Sequence, residues 1–454
     1  MKLSQFKKEV YVDRRKKLAH KIPGGKIFLQ GNRESSVNFK DNWYPFRQDS
    51  TFLYYCGLNI ANLDVIIDAN TGETTLYGND LSIDDIVWTG PLPNLEELAE
   101  RVGIEKVKPL ANLNKDLDGN LHFLPPYRPL HEMRLQGLGE PSEELIEAVV
   151  NQRNKKSPEE IEALHEACTR TSRMHFEVMA NAKRSMKEYE LIAIAQAYAR
   201  GQNADFSFLP ICTTQGHILH NHSYDNTLNS GDMVLFDGGL ESNQLYAGDM
   251  TRTFPVDRKF TAMQADLYQI VLNAQKTAIR NCKAGAKFVD IHLASSKTLA
   301  AGLIELGIMK GDAEEAVAQG AHTMFFQCGL GHLMGLDVHD MENLGEQFVG
   351  YGGGMLKSKE FGLKSLRLGR SLEEGFVITI EPGIYIIPQL IDMWEAEGKY
   401  SDFIDYKALN HLSDFGGIRI EDDYVITESG LQLLGEPLAK EIKEVEEIRA
   451  AANQ

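Results

Sequence analysis

The stretch VLFDGGLESNQLYAGDMTRTF, residues 234–254, constrains the chain more than any other. It reads as two apolar strands joined by the polar turn Glu241-Ser242-Asn243-Gln244. A hairpin centred on Asn243 sets Asp237 and Asp249 directly opposite each other on one face. Like charges facing each other across a strand pair repel. Such a pair persists if one carboxylate holds a proton or if a cation sits between the two. The hairpin therefore points to a shared proton or a metal site.

At 454 residues the chain exceeds one typical core, so two domains are expected, 1–155 and 156–454. The boundary falls in the polar run NQRNKKSPEE. There Ser157-Pro158-Glu159-Glu160 reads as a helix start, with a capping serine, a proline in the first turn and a glutamate closing the capping box. Ser185–Glu188 and Thr261–Gln264 repeat that signature, and FVDIHLASSKTLAAGLIELG reads as a further helix. In the first domain KIFLQG, STFLYYCGL, LDVIIDA and ETTLYGN read as strands, and NLEELAERVG as a helix. The first residues read as a charged helix that buries Phe6, Val10, Val12 and Leu18. Both domains are thus α/β, the first built on a small mixed sheet.

The net charge of −18 argues against nucleic-acid or anionic-membrane partners, which need basic patches. No run approaches a membrane-spanning length, and no apolar core follows the basic N-terminal residues as a signal peptide requires. Five scattered cysteines without a C-x-x-C pattern read as reduced thiols, which suits the cytoplasm.

Four clusters in the second half carry candidate chemistry. They are His217, His220 and His222 around ILHNHSYDN; the aspartate hairpin; His332, His339 and Asp340 in CGLGHLMGLDVHD; and two strand-end glutamates, Glu381 and Glu421. Taken singly, each glutamate reads as a solvated strand end and His332 as a core histidine bonded to a carbonyl. His339 shares a side with His332 only if the intervening segment is helical, and its glycines argue against that. Taken together, four carboxylates and an imidazole suit two divalent ions of moderate hardness, Mn²⁺, Co²⁺ or Zn²⁺. The residues alone carry the reading as far as a dinuclear hydrolase.

In chain order, DGG…YAGDMTRTFPV, GLGHLMGLDVHD, ITIEPGIYI and GIRIEDD resemble the metal-site signature of the pita-bread metallopeptidases. The ILH of ILHNHSYDN, with NWYPFRQDSTFLYYCGL and DDIVWTG near the N-terminus, resembles the proline-specific branch, aminopeptidase P and prolidase. The resemblance implies a pita-bread C-terminal domain behind an aminopeptidase P-like N-terminal domain. It implies five ligands: Asp249 and Glu421 bridging two ions, Asp237 completing one site, and His332 with Glu381 completing the other. The ions, Mn²⁺ by family expectation, would hold the hydroxide that attacks the scissile carbonyl. Glu381 would shuttle the proton. His220 and His339 would contact substrate, Arg419 would steady the site, and Tyr385 would stand near the metals. Trp88 matches a tryptophan that reaches a neighbouring subunit's site, so a dimer or tetramer is expected.

The activity implied is removal of the residue before proline from a peptide N-terminus. Alternatives are an Xaa-Pro dipeptidase, a metal-free binding member of the same fold, and a creatinase-like C–N hydrolase. Two departures stand out. Cys328 occupies a position that is often histidine in the family. PQLIDMWEAEGKYSDFIDYKALNHLSDFG lies as an insertion between Glu381 and Glu421, expected as a helix and loop flanking the cleft.

Overall fold

Glu160 accepts a hydrogen bond from the Ser157 N–H at 3.0 Å, starting the helix Pro158–Asn181 at the expected place. Only this half of the capping box forms, because the Ser157 hydroxyl has no partner. Thr261 and Gln264 make both halves and start Ala262–Asn281. Ser185 departs from expectation. It adopts φ +69° in the turn before Glu188–Gly201, and Glu190 accepts from the Lys187 N–H at 2.7 Å instead. Glu188 is buried and accepts from the Thr214 N–H at 2.7 Å. The same turn recurs before Phe288–Glu305, where Gly285 takes φ +85°. The two helix pairs are thus joined by matching left-handed turns, at Ser185 and Gly285.

The computed structural model describes residues 6–452. It divides into two units, 1–153 with 341–348 and 154–340 with 349–454. Residues 341–348 group with the first unit, although the sequence reading assigns them to the second.

In the first unit five strands order as Lys106–Pro109, Thr74–Gly78, Asp64–Asp68, Lys26–Gln30 and Leu121–Phe123. The two outer pairings are parallel and the two inner ones antiparallel. Phe28, Ile66, Tyr77, Leu113, Leu117, Phe123 and Leu135 form a core cluster there. STFLYYC is a helix, Ser50–Cys56, not a strand. Asp49 caps it by accepting from the Phe52 N–H at 2.8 Å, and Gly57 ends it in the left-handed region at φ +65°. These end signals override the strand preference of Phe, Leu and Tyr. The first helix, Lys8–Lys21, buries Tyr11, Arg14, Arg15, Leu18 and Ala19, while Phe6, Val10 and Val12 are only half-buried. Arg15 is tolerated inside because it donates to the Tyr55 and Val102 carbonyls, each at 2.8 Å.

In the second unit Ile211–Thr213, Met233–Gly238 and Met250–Pro255 form an antiparallel meander. Val377–Ile380 pairs with Asp422–Thr427, and Gly383–Tyr385 with Gly417–Arg419. A bridge between Thr251 and Glu421 joins the meander to the later strands. Helices Pro158–Asn181, Glu188–Gly201, Ala262–Asn281 and Phe288–Glu305 pack around these sheets.

The hairpin register differs from the expected one. Asp237 pairs with Thr251 and Gly238 with Met250, so the turn centres on Gln244. Asp249 lies two residues before Thr251, diagonal to Asp237 on the same face. The turn is closed by the Ser242 N–H bonding the Tyr246 carbonyl at 2.9 Å, with Leu245 at φ +63°. That left-handed residue is not legible in the polar run itself.

Candidate metal centre

A cavity of about 350 Å³ in the second unit gathers residues from every cluster read in the sequence. Asp237, Asp249, His332, Glu381 and Glu421 line it, with His220, His222, His339, Arg419 and Cys328. Phe208, Leu209, Ile211, Leu219 and Val338 add an apolar wall. His217 and Asp340 do not line it. Trp88 lies in the first unit on the helix Ile83–Thr89 and is 87% exposed, so it is not a core residue.

Strand geometry aims the carboxylates. The meander brings in Asp237 and, just before its third strand, Asp249. Glu381 follows Val377–Ile380, and its N–H bonds the Leu330 carbonyl at 2.7 Å. Glu421 is set by the bridge to Thr251, whose hydroxyl donates to Glu421 Oε2 at 2.7 Å. Side chains alternate along a strand, so Glu421 and Asp423 share one face while Asp422 turns to the other. Asp422 there meets Arg252 at 2.5 Å and Lys440 at 2.6 Å. Asp423 was missed in the sequence. It accepts from the Asp249 N–H at 3.0 Å and from the Cys168 thiol at 3.1 Å. The acidic triplet at 421–423, read with strand alternation, could have revealed it.

His332 has a defined tautomer. Its Nδ1 lies 3.2 Å from the Leu333 carbonyl, which can only accept, so Nδ1 carries the proton. Burial, with His339 beside it, holds the ring well below its usual pKa and hence neutral. Nε2 is then a bare lone pair, yet it faces Asp249 Oδ2 at 3.3 Å and Glu381 Oε1 at 3.7 Å. Lone pair against carboxylate is unfavourable without a proton or cation between them. His339 reaches the site without a helix: the segment folds back and sets its ring 4.4 Å from that of His332 at 77°.

Arg419 is the guanidinium among these acids. It donates to the Thr251 hydroxyl and the Tyr385 hydroxyl, each at 3.0 Å, and forms an ion pair with Asp237 Oδ2. Burial and the neighbouring carboxylates push Asp249 and Glu421 well above the usual carboxylate range. Burial lifts Glu381 to about 7. Without a cation, then, the cluster retains protons. Asp237 Oδ1 is buried with no hydrogen-bond partner. Oxygen donors, one neutral imidazole nitrogen and an orphaned carboxylate oxygen fit divalent cations. Ligand atoms of Asp249, His332 and Glu421 all lie within 4.8 Å of one another.

Residues 162–428 match Metallopeptidase family M24. The chain belongs to that family. Residues 11–123 match the aminopeptidase P N-terminal domain. The human Xaa-Pro dipeptidase is 31% identical over 438 residues, covering 90% of this chain and 86% of that protein. The Xaa-Pro aminopeptidase of Escherichia coli is 29% identical over 478 residues, covering all of both. The structure of E. coli aminopeptidase P with the inhibitor Pro-Leu superposes with a TM-score of 0.83 at 29% identity, covering 99% of this chain and all of that one. The second unit is therefore an M24 pita-bread domain, and the matched helix pairs around its sheets are its framework.

The insertion contains the expected helix, Pro388–Ala396, but it does not line the cavity. Instead Ile404 bridges to Met309, and Trp394 packs edge-on against Phe361 and Tyr400. Among the described residues no helix is long and apolar enough to cross a membrane.

Proposed function

We propose that this M24 chain is a metal-dependent Xaa-Pro aminopeptidase, removing the residue before proline from peptide N-termini. The observation that carries it is the convergence of Asp237, Asp249, His332, Glu381 and Glu421 on one cavity. The match to an aminopeptidase P N-terminal domain and the full-length likeness to the E. coli aminopeptidase support the specificity. Asp249 and Glu421 would be shared by two ions, Asp237 would serve one of them, and His332 with Glu381 would serve the other. Two divalent ions so held would acidify a water and polarise the scissile carbonyl. The oxygen-rich donor set favours Mn²⁺, with Co²⁺ or Zn²⁺ as alternatives.

The protein's own groups supply the rest. Glu381 lines the cavity among the assigned ligands and can accept a proton and pass it to the leaving nitrogen. His220 and His339 line the same cavity and can donate to substrate oxygens. Arg419 holds Asp237 in place and, through the Tyr385 hydroxyl, fixes that ring beside the site. The exposure of Trp88, with Ile83 and Val87 exposed on the same helix, supports its contact with a second copy in a homo-oligomer. Five free thiols support a cytoplasmic setting.

The deciding experiment strips the metal and restores Mn²⁺, Co²⁺ or Zn²⁺ singly, assaying Xaa-Pro-Yaa against Xaa-Pro. Metal-dependent cleavage of the tripeptide is expected. Cleavage of the dipeptide alone would favour the dipeptidase reading, to which the human relative lends weight. Tight peptide binding without cleavage under every metal would favour a binding protein.

A further inference from the structure

We propose that the buried Lys156–Asp340 ion pair positions His332 and His339. Lys156 Nζ lies 2.8 Å from Asp340 Oδ2, and each side chain is 1% exposed. Neither residue lines the cavity, and the backbone of the turn that Asp340 ends links the pair to His332 and His339. The Asp340 N–H donates to the Leu333 carbonyl at 2.9 Å. That same carbonyl accepts the His332 Nδ1–H at 3.2 Å. The Leu333 oxygen therefore closes the turn 333–340 and also accepts from the His332 ring.

The turn is tightly built. Gly335 N–H bonds the Asp337 carbonyl at 3.0 Å. A Cβ at Gly335 would fall 2.4 Å from Asp340 Oδ2, so the carboxylate packs directly on the turn it closes. Closure is what returns the His339 ring to 4.4 Å from His332. Lys156 is itself anchored, its N–H bonding the Gly375 carbonyl at 2.9 Å just before the helix Pro158–Asn181. A buried ion pair is a poor stabiliser, since desolvating two ions offsets their attraction. Direction is what it adds: an apolar pair would fill the space without fixing the carboxylate against the turn.

The proposal rests on reading His332 as a metal ligand, so its first readout is metal affinity and not turnover. The double variant Lys156→Met/Asp340→Asn removes both charges and leaves no lone buried ion. Asp340→Glu keeps the charge but displaces the carboxylate by one methylene, and carries the test should the double variant not fold. Mn²⁺ titration calorimetry on the full chain is expected to show binding about 10–100-fold weaker, at an unchanged fold by circular dichroism. KM on Xaa-Pro-Yaa is expected to rise as well as kcat to fall, because His339 shifts with His332. A folded variant with the parent's Mn²⁺ affinity, kcat and KM would overturn the proposal. A parent that binds no divalent ion would overturn the metal-site reading, and the proposal with it.

Discussion

Arg419 and Asp237 form a buried ion pair inside a cavity that three further carboxylates, Asp249, Glu381 and Glu421, also line. The same guanidinium reaches Thr251 and Tyr385, so one side chain ties the meander to the later strands. Lysine cannot reproduce that fork, having a single charged nitrogen. Arg419→Lys is therefore expected to lower kcat/KM about 10–100-fold, as loss of an outer partner of a ligand typically does. Steady-state kinetics beside metal analysis checks this; unchanged turnover would remove Arg419 from the site.

Asp249→Asn is expected to abolish activity and lower bound metal. A neutral amide can neither balance two cations nor bridge them as a carboxylate does. The Asp423 contact to the Asp249 backbone survives the change, so the loop should keep its place. Elemental analysis of the purified variant gives the answer. Full metal with normal turnover would show that Asp249 is no ligand.

His220 is exposed at the cavity lining, so His220→Ala should leave stability within about 0.5 kcal/mol of the parent. Turnover is expected to fall roughly 10²–10³-fold, the usual cost of removing one donor to a developing oxyanion. Metal content should hardly change. Equal losses in both would instead make His220 a ligand.

Cys328 lines the cavity, yet burial pushes its thiol up to about 12. The thiolate is the reactive form, so at neutral pH very little of it is present. Iodoacetamide labelling of Cys328 in the metal-free protein should be at least about tenfold slower than that of free cysteine. It should accelerate as pH rises toward 12. Rapid labelling at pH 7, followed by mass spectrometry, would contradict this.

Asp49→Ala should destabilise the first unit by about 0.5–2 kcal/mol, because the Phe52 N–H loses its cap. Asp49 does not line the catalytic cavity, so kcat is expected to stay at the parent value. Urea unfolding monitored by circular dichroism reads the shift. An unchanged midpoint would mean that the Gly57 end alone sustains the helix.

By itself the sequence determined the chemical inventory and the local starts of structure. Asp237, Asp249, His332, Glu381 and Glu421 were legible as candidates only as a set, because turn residues and ordered motifs are local signals, whereas each glutamate alone reads as a strand end and His332 alone as a core residue. Thr261 and Gln264 were legible for the same reason, since a capping box spans a single turn. Tertiary structure decided how these pieces meet. Asp237 faces Thr251, not Asp249, because the left-handed Leu245 moves the turn centre to Gln244. His339 reaches His332 without a helix, because a folded-back loop can bring distant residues together where periodicity alone cannot. The Lys156–Asp340 pair and the Asp423 anchor join residues 184 and 174 positions apart. No periodic pattern encodes such separations; they exist only once the sheets and helices have packed.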